Sequence, residues 1–281
     1  MSGSASPAPP PKGTVSVPGG HLEYEIAGEG PPVLFLHSVI ADPRMWNREF
    51  SRFARDHRTV RFALRGFAGS TPARGPFSYL RDVEAVVDHL GLRRPYLVGS
   101  SMGGAFAIDY ALAHPDGVAG LLLAAPGLSG GIDPPFAPAE RAAFERDEHL
   151  SQAMARAWSE GQSDRAFEML RTLWAEALTG PSLTLFRAMV ADNAEEVYGS
   201  RSQAQAEPSP PAFPRLGEIR APTLVLSGGR DNPVQDVFVR RIVAGIPKAR
   251  HQRIESADHL INLSRPEDFE TALTAELRRA R

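Results

Sequence analysis

Five residues, Gly99-Ser100-Ser101-Met102-Gly103, set one serine in a frame suited to nucleophilic chemistry. They follow the apolar run Tyr96-Leu97-Val98 and open Ala105–Ala113, whose composition is helical. A turn this sharp between strand and helix strains the central residue and brings neighbouring backbone close. Small residues two before and two after it relieve the crowding. Only Ser101 has glycine at both positions; for Ser100 they would be Val98 and Met102. A serine hydroxyl is a weak nucleophile at neutral pH, so a base and a group to orient that base are also required.

Chain order supplies both. The apolar run Thr223–Ser227 leads into Gly228-Gly229-Arg230-Asp231-Asn232-Pro233, a turn that presents one carboxylate just past a strand. Of the eight histidines, His251 lies inside the run Arg250–Ile254, whereas His259 follows it in Ser256-Ala257-Asp258-His259. Ser101, Asp231 and His259 are therefore the expected nucleophile, acid and base, each beyond the C-terminal end of a strand. Asp258 reads as a solvated loop residue, because successive side chains seldom face each other. The rival strand end, Ala124-Ala125-Pro126-Gly127, offers no carboxylate before Asp133. Asp133 and Asp258 are the next candidates for the acid.

These groups need a scaffold. Val15–Val17 and Leu22–Ile26 flank a Pro-Gly-Gly turn and predict an opening hairpin. Val33–His37, Thr59–Leu64, Tyr96–Val98, Val118–Ala124 and Thr223–Ser227 are short apolar runs, read as buried strands. Val83, Val86, Val87 and Leu90 fall on one helical face, as do Phe269, Leu273 and Leu277. Strands alternating with amphipathic helices predict a mostly parallel sheet covered on both faces, an α/β fold. The alternation stops between about Leu128 and Phe213, where Leu150, Met154 and Trp158, then Phe167, Leu170, Trp174 and Leu178, are spaced as in helices. The expected organisation is a disordered tail (1–13), an α/β core in two parts (14–128 and 213–281) and an inserted helical cap (129–212). Glu207–Pro214 reads as a rigid linker by its prolines.

Bulk composition excludes several classes. The 31 basic and 33 acidic residues leave a net charge of −2, with no electrostatic reason to expect nucleic acid or an anionic membrane. The absence of cysteine removes disulfides and thiolate chemistry. No apolar stretch approaches the roughly 18 residues of a membrane span. The N-terminus lacks the basic start and apolar run of a signal peptide, so a cytoplasmic location is expected. Neither a metal cluster nor a nucleotide-binding glycine loop is evident, and the chemistry calls for no cofactor. Oligomeric state is left open, a homodimer being one option.

The elbow, the acid turn and the late histidine together resemble the α/β-hydrolase superfamily over about residues 20–128 and 213–281. Asn262-Leu263-Ser264-Arg265-Pro266 resembles the start of the final helix of that fold, Arg65-Gly66-Phe67-Ala68-Gly69-Ser70 its glycine-rich turn, and Leu36–Ile40 its His-Gly loop. The resemblance implies an oxyanion hole made by the backbone N–H groups of Val39 and Met102, with His37 structural. Ser38 stands where glycine is usual and Ala63 where aspartate is common. The His37-Ser38 loop, Arg44-Met45-Trp46 and Asn262-Leu263 look most like enol-lactonases and small carboxylesterases, implying a small-molecule ester or lactone substrate. Carbon–carbon bond hydrolases share the elbow but commonly carry asparagine at the position of Ser100 and tryptophan at that of Leu260, which places them second. A non-catalytic ligand-binding protein of the same fold is the third alternative. Ser38, Ser100, Trp158, Trp174, Phe186 and Met189 are the candidate substrate contacts, and Arg187 a candidate partner for a substrate carboxylate.

Overall fold

The structure is a computed structural model that describes residues 11–131, 137–199 and 210–280. Its strands are β1 (Lys12–Val17), β2 (Gly20–Ala27), β3 (Pro32–Leu36), β4 (Arg58–Phe62), β5 (Tyr96–Ser100), β6 (Gly120–Ala124), β7 (Thr223–Gly228) and β8 (Ala249–Ile254). They form one eight-stranded sheet in the order β1-β2-β4-β3-β5-β6-β7-β8. The β1–β2 and β2–β4 pairs are antiparallel and the rest parallel, so the expected mostly parallel α/β sheet is present. Lys12 and Gly13, expected in the tail, instead pair with Glu25 and Tyr24. Residues 207–209 of the expected linker lie outside the described residues, and Phe213 and Pro214 open a 3-10 turn, Phe213–Glu218.

Helices cover both faces: α1 (Asn47–Phe53), α2 (Tyr79–His89), α3 (Met102–Ala113), α4 (Pro138–Ser159), α5 (Ser163–Trp174), α6 (Gly180–Asp192), α7 (Ala194–Tyr198), α8 (Pro233–Gly245), α9 (Ile261–Ser264) and α10 (Pro266–Arg279). Alternate residues of a strand point to opposite faces, and the central strands are apolar at both sets. Leu34, Leu97, Leu121 and Val225 pack with Val83, Val86 and Val87 of α2, Ile108 of α3 and Ile242 of α8. Phe35, Val98, Leu122 and Leu226 pack on the other face with Phe53 of α1 and with Phe269, Leu273 and Leu277 of α10.

The sheet places three strand ends usefully. After β3 the chain builds β4 on one side and then returns to place β5 on the other, so strand order reverses between β3 and β5. A crevice opens beyond the C-terminal ends of the strands at such a reversal. Leu36 pairs with Gly99, which brings the loop after β3 beside the turn after β5. Between β6 and β7, within the stretch expected to cap the sheet, the chain forms α4 to α7. Residues of α4, α5 and α7 lie across this same edge.

Candidate active site

The turn at Ser101 is as tight as its glycines demand. Ser101 has φ 55° and ψ −123°, left-handed backbone that costs a non-glycine residue on the order of 1–3 kcal/mol. Its amide donates to Ala124 O at 2.9 Å, and its carbonyl accepts from the amides of Gly104 and Gly127. A Cβ on Gly103 would lie 2.3 Å from Leu36 O, and one on Gly99 2.5 Å from Gly103 O. Glycine at these positions lets α3 start directly against β3. Ser101 is the N-cap of α3, so the N–H groups of Met102 and Gly103 have no carbonyl partner within the helix.

Asp231 and His259 come from the next strand ends but one and but two. The amides of Gly229 and Arg230 donate to Ile254 O and Ala257 O, tying the acid turn to the histidine loop. Asp231 receives the Asn232 amide at 2.7 Å, and both its carboxyl oxygens lie 3.1 Å from His259 Nδ1. Both side chains are 3% exposed, so the pair is shielded from bulk water. The Trp174 ring lies over the imidazole, with centroids 4.5 Å apart.

Ser101, His259, Met102, Val39 and Trp174 share the wall of one cavity of about 560 Å³. Val39 is held by the loop after β3. His37 Nδ1 donates to Ser38 O at 2.8 Å and its Nε2 accepts the Leu64 amide at 3.0 Å, which defines a neutral tautomer. Burial holds the His37 pKa below its usual value, consistent with that neutral form. The Ser38 hydroxyl accepts from the Ile40 amide and its carbonyl accepts from the Ala41 amide. A side-chain turn thus braces the loop where glycine is usual.

Several expected contacts lie elsewhere. Ser38 is buried inside its loop, and Ser100 is buried with its hydroxyl unpartnered. Phe186 and Met189 are fully buried core residues, Phe186 against Phe167. Trp158 stacks on Tyr198 at 6.3 Å and is absent from the cavity wall, whereas Tyr198 is part of it. Arg187 is committed at the surface to Asp164 and Glu168. Asp258 is not solvated: it is 1% exposed, and its oxygens accept the amides of Ala177 and Leu260. Burial raises its pKa. Asp133 lies outside the described residues.

The cavity wall also holds residues that the sequence did not mark as substrate contacts. Phe144, Asp147, Ser151 and Met154 of α4 line it at i, i+3, i+7 and i+10, one face of a helix. Among the described residues no group of side chains has the makeup of a metal site, and no helix is long and apolar enough to cross a membrane.

Residues 33–272 match the alpha/beta hydrolase family. The chain belongs to that family. This hydrolase is 27% identical to a 2-hydroxy-6-oxo-6-phenylhexa-2,4-dienoate hydrolase of Comamonas testosteroni, over 88% of each chain. It is 25% identical to 3-oxoadipate enol-lactonase 2 of Acinetobacter baylyi, covering 92% of this chain and 93% of that one. A thermophilic esterase from Thermogutta terrifontis superposes with a TM-score of 0.75 at 27% identity, over 97% of this hydrolase and 99% of the esterase.

Proposed function

We propose that this hydrolase cleaves a carboxylic ester or lactone of a small molecule through an acyl-enzyme on Ser101. The observation that carries the reading is the buried Asp231–His259 pair, set beside the strained Ser101 turn in the wall of one cavity. Asp231 accepts the Nδ1–H of His259, which leaves Nε2 as the base. Nε2 takes the Ser101 proton as Oγ attacks the carbonyl carbon. The resulting oxyanion is met by the N–H groups of Val39 and Met102, the second at the positive end of α3. The imidazolium then protonates the leaving alkoxide. In the second half Nε2 deprotonates a water that attacks the acyl-enzyme, and the proton returns to Ser101 as the acid departs. The helices α4 to α7 serve as the cap that shapes the cavity.

A second reading, carbon–carbon bond hydrolysis, is favoured by the similarity to the phenylhexadienoate hydrolase. Ser100 and Leu260, at positions where asparagine and tryptophan are common in such enzymes, support the ester or lactone reading instead. Both readings require Ser101 to react. A serine-directed fluorophosphonate should label Ser101, and native protein that takes no label there would remove both. A parallel panel of short-chain nitrophenyl esters, lactones and vinylogous diketones should show turnover of the first two classes. Turnover of the diketones alone would select the second reading.

A further inference from the structure

Asp147 occupies an unusual place for a carboxylate. It lies on α4, in the wall shared with Ser101 and His259, and its Oδ1 receives the Asn232 side-chain amide at 2.8 Å. Asn232 follows Asp231 in the chain, and its own Oδ1 accepts the Val234 amide at the start of α8. The carboxylate is therefore pinned to the acid turn by a side chain that is itself fixed. No described residue donates to Oδ2, so that oxygen keeps its capacity to accept a hydrogen bond.

The rest of the wall makes this charge count. Among the described lining residues none is Arg or Lys, and the other polar side chains are neutral or belong to the catalytic pair: Ser151, Gln152, Tyr198 and Gln235 beside Ser101 and His259. Arg146 and Arg230 line a smaller neighbouring cavity that Asp147 also borders, and Arg230 is paired with Glu176 at 3.3 Å. Burial raises the Asp147 pKa, while the Asn232 hydrogen bond and the proximity of His259 pull it the other way. In the wall shared with Ser101, Asp147 thus has no Arg or Lys beside it, and His259 is the one basic side chain among the described lining residues.

Resting on the hydrolase reading above, we infer that Asp147 selects substrates by charge. The cavity takes an uncharged ester or lactone, or one carrying a hydroxyl, amide N–H or ammonium donor for Asp147, and rejects a substrate carboxylate. A carboxylate brought near Asp147 meets like charge in a partly dry site with no Arg or Lys among its described lining residues, which lowers its kcat/KM by roughly tenfold or more.

The test compares 4-nitrophenyl hexanoate with its two counterparts that end in a carboxylate or an ammonium. Active sites are counted by fluorophosphonate labelling, and all three esters are run on one preparation, so ratios survive any loss of folded protein. Native enzyme should hydrolyse the carboxylate ester at least about tenfold less efficiently than the neutral one. Asp147→Asn should narrow that gap by about the same factor and remove any advantage of the ammonium ester. Equal turnover of the neutral and carboxylate esters by native enzyme would overturn the inference. So would a gap unchanged in both Asp147→Asn and Asp147→Ala. Protein that takes no label and cleaves none of the three would instead remove the hydrolase reading, and this inference with it.

Discussion

His259 Nδ1 stands 3.1 Å from each carboxyl oxygen of Asp231. An acceptor on both sides of one N–H favours the tautomer with its proton on Nδ1. Asp231→Asn puts an amide donor opposite that nitrogen and favours the wrong tautomer. It should lower kcat by about 10⁴ with the fold intact. Circular dichroism and steady-state kinetics on one preparation check this; full activity would place the acid elsewhere.

Ser101→Ala should lower kcat by on the order of 10⁶ and abolish fluorophosphonate labelling. Ser101→Gly separates strain from chemistry. Glycine accepts φ 55° without a Cβ penalty, so this variant should be equally inactive yet more stable than native by about 1 kcal/mol. Denaturant melts of the two variants would show whether the turn stores strain.

Asp258 tests whether the neighbour of the histidine is structural. Removing its carboxyl group leaves the buried amide of Leu260 without its acceptor, at a cost of about 1–3 kcal/mol, and strips the half-buried amide of Ala177 of its partner as well. Asp258→Ala should therefore lower the melting temperature markedly. Per folded molecule, its kcat loss should be much smaller than that of Asp231→Asn. A loss of 10⁴ in well-folded protein would make Asp258 the acid.

Glu49 gives stability a pH dependence. It is fully buried, and burial pushes its pKa up to about 8, from the usual 4.5. The folded state then holds a proton that the unfolded chain releases. Its stabilising contribution is complete below about pH 4.5 and is lost as pH rises toward 8, by a few kcal/mol in all. Glu49→Gln cannot titrate, so its melting temperature should fall less than that of native protein between pH 5 and 8. Parallel slopes for the two proteins would show that Glu49 is ionised in the fold.

The parts of this molecule legible in the sequence are those set by local rules. The strands around Phe35, Val98, Leu122 and Leu226 announced themselves as short apolar runs. Glycine spacing singled out Ser101 because steric crowding in a tight turn is a local matter. Chain order was enough to pair Asp231 with His259. The misreadings came from contacts between distant segments. Asp258 looked solvated because its burial depends on Ala177, 81 residues earlier. Phe186 and Met189 looked like pocket residues because apolar helical spacing cannot separate a core face from a ligand face. Asp147 escaped notice for the converse reason: its row, Phe144, Asp147, Ser151 and Met154, mixes polar and apolar side chains and so carries no hydrophobic periodicity.

The strand order has one more consequence. Ser101 leaves β5, Asp231 leaves β7 and His259 follows β8, so their separations are counted in steps of a hydrogen-bonded ladder, about 4.8 Å each. That ladder works as a ruler, and its rungs are backbone bonds to which no residue of 138–198 contributes. The ruler therefore draws none of its own hydrogen bonds from that stretch. The spacing of Ser101, Asp231 and His259 is thus set by the sheet, while much of the cavity wall around them, from Phe144 to Tyr198, comes from a stretch that adds no strand to it.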